Sequence, residues 1–267
     1  EKMNQDTIGE AISADDIGTL PALDLAEALQ VIPGVQVNRE NNDGAFRSGE
    51  ISLRGLPGSF TAVTANGHTF APPSGSVTPD AGVPNPFGAF ASGVFDGVWV
   101  SKSQRADLIE GGIAGTVDKK LARALSRKDG FVVRATATYE EAIDETSPNY
   151  FLSGTKHLIE DVLAVTFKYD RQEEQFRRDL INFTRYQALN TGRFPGLEDW
   201  KAENNINAED DVVIPGGLRQ YSEIRRGSRD SFTANIEFQA TDDLKVGADL
   251  LYTDRDLNIN TEIMLAS

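Results

Sequence analysis

The stretch EGGIAGTVDKK at residues 110–120 places Gly111, Gly112 and Gly115 close together and then runs into charge. Glycines at that density mark a backbone that turns tightly or lies very close to something. A phosphate-cradling loop is one chemistry they serve, but it needs a following helix and a Lys-Ser or Lys-Thr pair. Here a strand pattern and Asp118 follow instead. Nucleophilic and metal chemistry find no better support. His68 and His157 lie in different halves, and neither a Gly-x-Ser-x-Gly elbow nor a His-Glu-x-x-His pair occurs. The absence of cysteine removes thiol catalysis, zinc-thiolate sites and disulfides together. The acidic pairs Asp15-Asp16, Glu140-Glu141 and Asp242-Asp243 fall at a cap, a strand end and a turn, where solvated carboxylates are expected. AEDD at 208–211 lacks the spaced ligands of a calcium loop. The patterns therefore predict no catalytic residue, no metal and no cofactor.

The elements that would position any site divide the chain in two. Its 267 residues, 39% hydrophobic, suffice for one large domain or two ordinary ones. A formal charge of −15 argues against a nucleic-acid partner, which needs clustered Lys and Arg. Residues 1–129 read as a small α+β unit: a capping box at 13–16, then a helix with Leu25, Ala28, Leu29 and Ile32 at helical spacing until Pro33 and Gly34 stop it. Short strands are predicted at 34–38, 50–54, 61–65 (ending in the hairpin signal Asn66-Gly67), 97–101 and 113–117.

From residue 130 the pattern alternates. Phe131, Val133, Ala135, Ala137 and Tyr139 form one face of a strand and Arg134, Thr136, Thr138 and Glu140 the other. The split recurs with Leu163, Val165, Phe167 and Tyr169 opposite Ala164, Thr166, Lys168 and Asp170, and with Phe232, Ala234, Ile236 and Phe238 opposite Thr233, Asn235, Glu237 and Gln239. It returns with Leu244, Val246, Ala248, Leu250 and Tyr252 opposite Lys245, Gly247, Asp249 and Thr253, and a weaker strand lies at 149–157. Such alternation makes a sheet with one apolar and one wet face. The predicted connections run long (about eight residues), short (LIED), long (about 50 residues) and short (TDD), the pattern of outer-membrane barrels. Tyr139, Tyr169 and Tyr252 would then fall near the outer interface as part of an aromatic girdle. A soluble β-sandwich, its apolar faces packed on each other, fits the alternation as well.

The first half carries a resemblance. ISADDIGTLPALDLAEALQVIPGVQVNRE, ISLRGL, FTAVTANGHTF and GVWVSKSQRADLIEGGIAGTVD, in that order and spacing, resemble the plug domain of TonB-dependent outer-membrane receptors, especially the Caulobacter-type subgroup. The resemblance spans residues 8 to about 122. It implies a plug (1–129) inside an antiparallel transmembrane β-barrel of about 22 strands, of which about five are present in 130–267. It also implies an outer-membrane receptor of a Gram-negative bacterium that takes up a scarce bulky solute, a carbohydrate or an iron chelate. Its partners would be TonB with the inner-membrane energising complex, a small-molecule or oligosaccharide ligand, and outer-membrane lipid. No TonB-contacting segment is visible before Thr7, so that coupling rests on the resemblance alone. Five strands cannot close, and open edges in hydrocarbon cost several kcal/mol per unpaired group. The chain is therefore expected to be a fragment that alone neither inserts stably nor transports. A soluble periplasmic module derived from a plug is the alternative.

Site residues follow from the same resemblance. Arg54 in SLRGL matches an arginine that in this family pairs with barrel-wall glutamates and locks the plug. Trp99 stands where many members carry a glutamate, which puts any ion pair made there in doubt. Gly111, Gly112 and Gly115 become packing glycines where the chain passes near the barrel wall. Ligand contacts are expected from plug loops at 38–48 and 68–90, with Arg39, Phe46, Arg47, His68, Phe87 and Phe90 supplying charge, hydrogen bonds and stacking.

Overall fold

The computed structural model describes residues 9–13, 29–38, 50–69, 90–103, 106, 108–110, 112–183, 186–188, 194–207, 211–215 and 218–266. The chain falls into two compact units, Glu1–Glu174 with Arg226–Leu257 and Gln175–Arg225 with Asn258–Ser267.

In the first unit, strands β1 (Gly9–Ser13), β4 (Thr61–Ala65), β5 (Gly97–Ser101) and β6 (Gly115–Lys120) form one sheet in the order β1-β5-β6-β4. Only β4 and β6 pair parallel. Strands β2 (Val35–Asn38) and β3 (Glu50–Leu53) make a separate antiparallel pair. Val98, Val100, Val117, Phe95, Leu53, Leu29 and Ile32 seal a common core. Ser13 ends β1, and the other residues of the predicted capping box lie outside those described. The predicted helix is described only from Leu29 on; Leu29 and Ile32 sit in the core as its spacing requires. Strand β6 starts two residues later than predicted because Gly115 closes a turn onto the Gly112 carbonyl at 3.0 Å. It then continues through charge, since β5 and β4 pair with it on both sides. Its Asp118 accepts bonds from the Thr64 hydroxyl (2.6 Å) and the Gly67 amide (2.8 Å). Asn66 and Gly67 both take positive φ and close a tight turn between Ala65 and His68, as the dipeptide predicts.

The second half builds strands β7 (Gly130–Glu140), β8 (Glu145–Ile159), β9 (Leu163–Phe183), β12 (Leu218–Thr241) and β13 (Leu244–Ala266). They form one five-stranded sheet in the order β13-β12-β9-β8-β7, so each neighbour in sequence is a neighbour in space. The first connection spans only residues 141–144, so the predicted long loop is short. Ser147-Pro148 reads as loop in sequence yet belongs to β8, where Pro148 pairs with Ala137 of β7. The β8–β9 register begins only at Asn149, which is how a proline without an amide is accommodated. Asn149 Oδ1 accepts the next β9 amide, Glu173 N–H, at 3.0 Å.

The second unit holds the far ends of β9, β12 and β13, the pair β10 (Tyr186–Ala188) and β11 (Val213–Pro215), and the short helix α1 (Leu197–Glu203). Arg225 lies over the Phe176 ring and pairs with Glu223 at 2.9 Å. Most of the predicted long connection is therefore structured. Among the described residues, no helix is long and apolar enough to cross a membrane, which says nothing about strands.

Candidate functional site: the face between the N-terminal domain and the large sheet

The large sheet buries the wrong face for a protein whose only solvent is water. Ser153, Thr155, Thr166, Lys168, Asp170, Ser231, Thr233, Asn235 and Glu237 are buried, while Phe131, Val133, Phe167, Ile236, Phe238, Leu244, Val246 and Leu250 stand exposed. Val133 is 68% exposed and Glu237 2%. Strand geometry alone sends alternate residues to opposite faces. What inverts the usual outcome is that the polar row has the N-terminal domain against it.

Contact is made through backbone amides. Two short 3-10 turns, Ser92–Val94 and Ala124–Ser126, have no side-chain cap of their own. The sheet supplies the missing acceptors. Ser231 Oγ accepts from Ala91 N–H at 2.9 Å and Asp170 Oδ2 from Gly93 N–H at 3.0 Å. At the second turn Asn235 Oδ1 accepts from Ala124 N–H and Glu237 Oε2 from Leu125 N–H, each at 2.9 Å. A Cβ on Gly93 would overlap Asp170 Oδ2 and press the Phe151 ring at 3.0 Å, so any larger residue must displace the carboxylate or lift the turn.

Charges reinforce the amides. Asp96, just after the first turn, pairs with Lys168 of β9 and takes Arg127 Nη1 on both oxygens at 2.6 and 2.7 Å. Burial works against the Asp96 carboxylate, but Lys168 and Arg127 outweigh it and hold its pKa below the ordinary Asp value. Glu237 also faces Lys245 at 3.6 Å and Arg123 at 3.9 Å. At the entry to β7, Asp129 binds Lys156 and, at 2.6 Å, the His157 ring. Bonds from Lys156 and from the His157 amide and ring hold its pKa well below the usual range.

The residues singled out from sequence are placed unevenly. Arg54 is exposed at φ 57°, in the turn after β3, and has no ion-pair partner among the described residues. A Cβ on Gly112 would meet the Gly115 carbonyl at 2.7 Å, and one on Gly115, whose φ is 145°, would meet the Ser101 carbonyl at 2.5 Å. Those neighbours belong to the N-terminal domain itself rather than to the large sheet. Trp99 packs its ring over Gly9 of β1. His68 is exposed; Phe90 lies edge-on to Phe95 and packs on the core. Arg39, Phe46, Arg47, Phe87 and Gly111 lie outside the described residues. Tyr139 faces Thr146 on β8 and Tyr169 faces Leu152, six positions further along, so the two do not share one ring. Tyr169 instead bonds Asp230. Sequence reading assigned no role to Asp96, Lys168, Asp170, Asn235 or Glu237. Four of them were visible as polar alternates, but the main-chain partners of Asp170, Asn235 and Glu237 have no side-chain signature.

Residues 1–116 match the family model for the TonB-dependent receptor plug domain. The N-terminal domain belongs to that plug family. No curated protein matches the chain. Among solved structures it is similar to a mutant of the ferric enterobactin receptor PfeA from Pseudomonas aeruginosa, with a TM-score of 0.52 and 12% identity over 96% of this chain and 42% of that one. PfeA in complex with BCV-L6 gives 0.51 at 13% identity, over 92% and 40%. The siderophore receptor PirA from Acinetobacter baumannii gives 0.49 at 14% identity, over 95% and 44%. The chain thus spans less than half the length of the receptors it matches. Its fold is that of an α+β plug followed by an incomplete antiparallel transmembrane β-barrel, and the large sheet is barrel wall.

Proposed function

We infer that this chain is the plug (1–129) and opening wall (130–267) of a Gram-negative outer-membrane receptor that imports a scarce, bulky solute with energy delivered through TonB. One observation carries the reading: the same sheet turns its apolar row outward and its polar row onto the plug, which suits lipid on one side and a hydrated, displaceable stopper on the other. A soluble module would have to cover Phe131, Val133 and Leu250, and these stand open. Outer-membrane lipid is the partner of that row.

Arg54, exposed and without an ion-pair partner among the described residues, awaits carboxylates on later strands. Gly111, Gly112 and Gly115 serve plug packing, and Arg39, Phe46, Arg47, His68 and Phe87 are the proposed ligand contacts, whereas Phe90 packs on the plug core. The reading is of a receptor, not an enzyme. PfeA is named for ferric enterobactin, which puts an iron chelate beside a carbohydrate as the ligand class to test. The complete receptor is expressed in TonB-competent and TonB-deficient hosts and offered ferric siderophores and oligosaccharides. Uptake of one class that vanishes without TonB is expected; uptake indifferent to TonB overturns the proposal.

A further inference from the structure

Asp96, Lys168 and Asp170 form a set whose partners are arranged for two states. Lys168, on the wall, is 2% exposed and bonded to Asp96 of the plug. Asp170 follows two positions later on the same face of β9, about 6–7 Å along the strand, and holds the plug's Gly93 amide. A lysine stem spans that separation, and Lys168 already lies in the field of the Asp170 carboxylate. Arg229 and Arg134 lend Asp170 further positive charge, so Lys168 is the wall group that a departing plug would strand. On the plug side Asp96 keeps Arg127 whatever the wall does.

Removing one member of a buried ion pair is strongly destabilising because the other is left desolvated and alone. A stopper that must leave its seat repeatedly would meet that obstacle at every cycle. We propose that the wall carries a partner-exchange latch: as the plug moves, Lys168 passes from Asp96 to Asp170, Asp96 stays with Arg127, and no charge is unpaired in either state. The inference rests on the receptor reading above. It assigns Asp170 two roles, amide acceptor in the seated state and counter-ion in the released one.

The complete receptor in a lipid bilayer, drawn by a handle at its N-terminus, tests this without a ligand. Asp96→Asn is expected to speed plug release by about 30-fold, the lower end of the scale at which truncating a hydrogen-bonded charge pair acts on off-rates, because Lys168 finds Asp170. In the resting structure of that variant, Lys168 Nζ is expected within salt-bridge distance of Asp170. Asp170→Asn, which can still accept the Gly93 bond, is expected to slow release about tenfold when Lys168 is present and to have no such effect beside Lys168→Met. Two results overturn the exchange while leaving the receptor reading intact: a Lys168 that stays on the substituted side chain of Asp96→Asn or turns to solvent, and release that Asp170→Asn fails to slow. A wild-type wall from which no plug can be drawn removes both.

Discussion

In the plug, Val98, Val100, Val117 and Phe95 are at most 1% exposed, whereas in the wall Phe131, Val133, Val246 and Leu250 are all more than half exposed and Ser231, Thr233, Asn235 and Glu237 are covered. Plug strands β4 and β5 are short and buried along nearly their whole length, whereas the wall strands alternate between an apolar and a polar face. The difference lies in what each face meets. Plug strands pack apolar rows on one another and exclude water, the ordinary source of stability in a water-soluble domain. Wall strands leave their apolar row exposed and satisfy the polar row with plug amides and counter-charges. Burial in the wall is therefore a matter of hydrogen-bond completion rather than of hydrophobic area, and a wall face of that kind can be wetted and left again. An apolar interface of the same size would resist hydration.

The largest expected effect lies on the plug side of this contrast. Phe95→Ala empties a site shared with Phe90 and with Lys119, whose ammonium lies 5.0 Å from the ring centroid. It should cost the plug about 3–5 kcal/mol, read by denaturant unfolding of the receptor followed through Trp99. Phe238→Ala, on the exposed row, should leave that transition in place. Equal effects of the two would erase the distinction between the regions. Next in size is a charge on the outward row: Ile236→Arg should destabilise the receptor in bilayers by about 2–4 kcal/mol near the midplane. Thr136→Arg, on the polar face of β7, should be nearly silent. Urea titrations in phospholipid vesicles distinguish them, and an Ile236→Arg receptor as stable as the wild type would place that row in water.

Gly93→Ala sharpens the contrast from the interface itself. The added methyl overlaps Asp170 and crowds Phe151, so either the carboxylate turns away or the first 3-10 turn lifts. About 1–3 kcal/mol is expected, visible as faster proteolysis of the plug in the assembled receptor. Ala91→Gly, two positions earlier, keeps the Ser231 bond and should leave proteolysis near the wild-type rate.

How much of this is legible in the residues follows the same divide. The alternation of Phe131 to Tyr139 and of Leu244 to Tyr252 announces strands and a two-faced sheet, because side-chain period is a local property. Strand β1 escapes such reading: GEAIS has little strand character of its own, and β5 organises it by laying Trp99 over Gly9. The outer stretch of β9, RQEEQFRRD, is polar on both faces and reads as loop, yet it continues as strand. The interface is half legible. Lys168, Asp170, Asn235 and Glu237 show themselves as polar alternates, but Ala91, Gly93, Ala124 and Leu125 contribute only N–H groups, which every residue but proline possesses.

The smallest effect expected is a pH dependence, and it falls on Asp96, a plug carboxylate that the wall helps to charge. Asp96 has its pKa depressed in the folded state, since Lys168 and Arg127 overcome the penalty of burial. A depressed carboxylate stabilises fully above its unfolded value, about 3.9, and its contribution fades as the pH falls through the lower, folded one. Plug retention should therefore be level from pH 8 to about 5 and weaken only below about 4. Asp96→Asn should start from the weaker value and lack the acid step contributed by this group. Protease accessibility of the plug, measured across that range for both receptors, checks the sign. An acid step of equal size in Asp96→Asn would assign it to other carboxylates, and a plug that tightens on acidification would contradict the pairing of Asp96 with two cations.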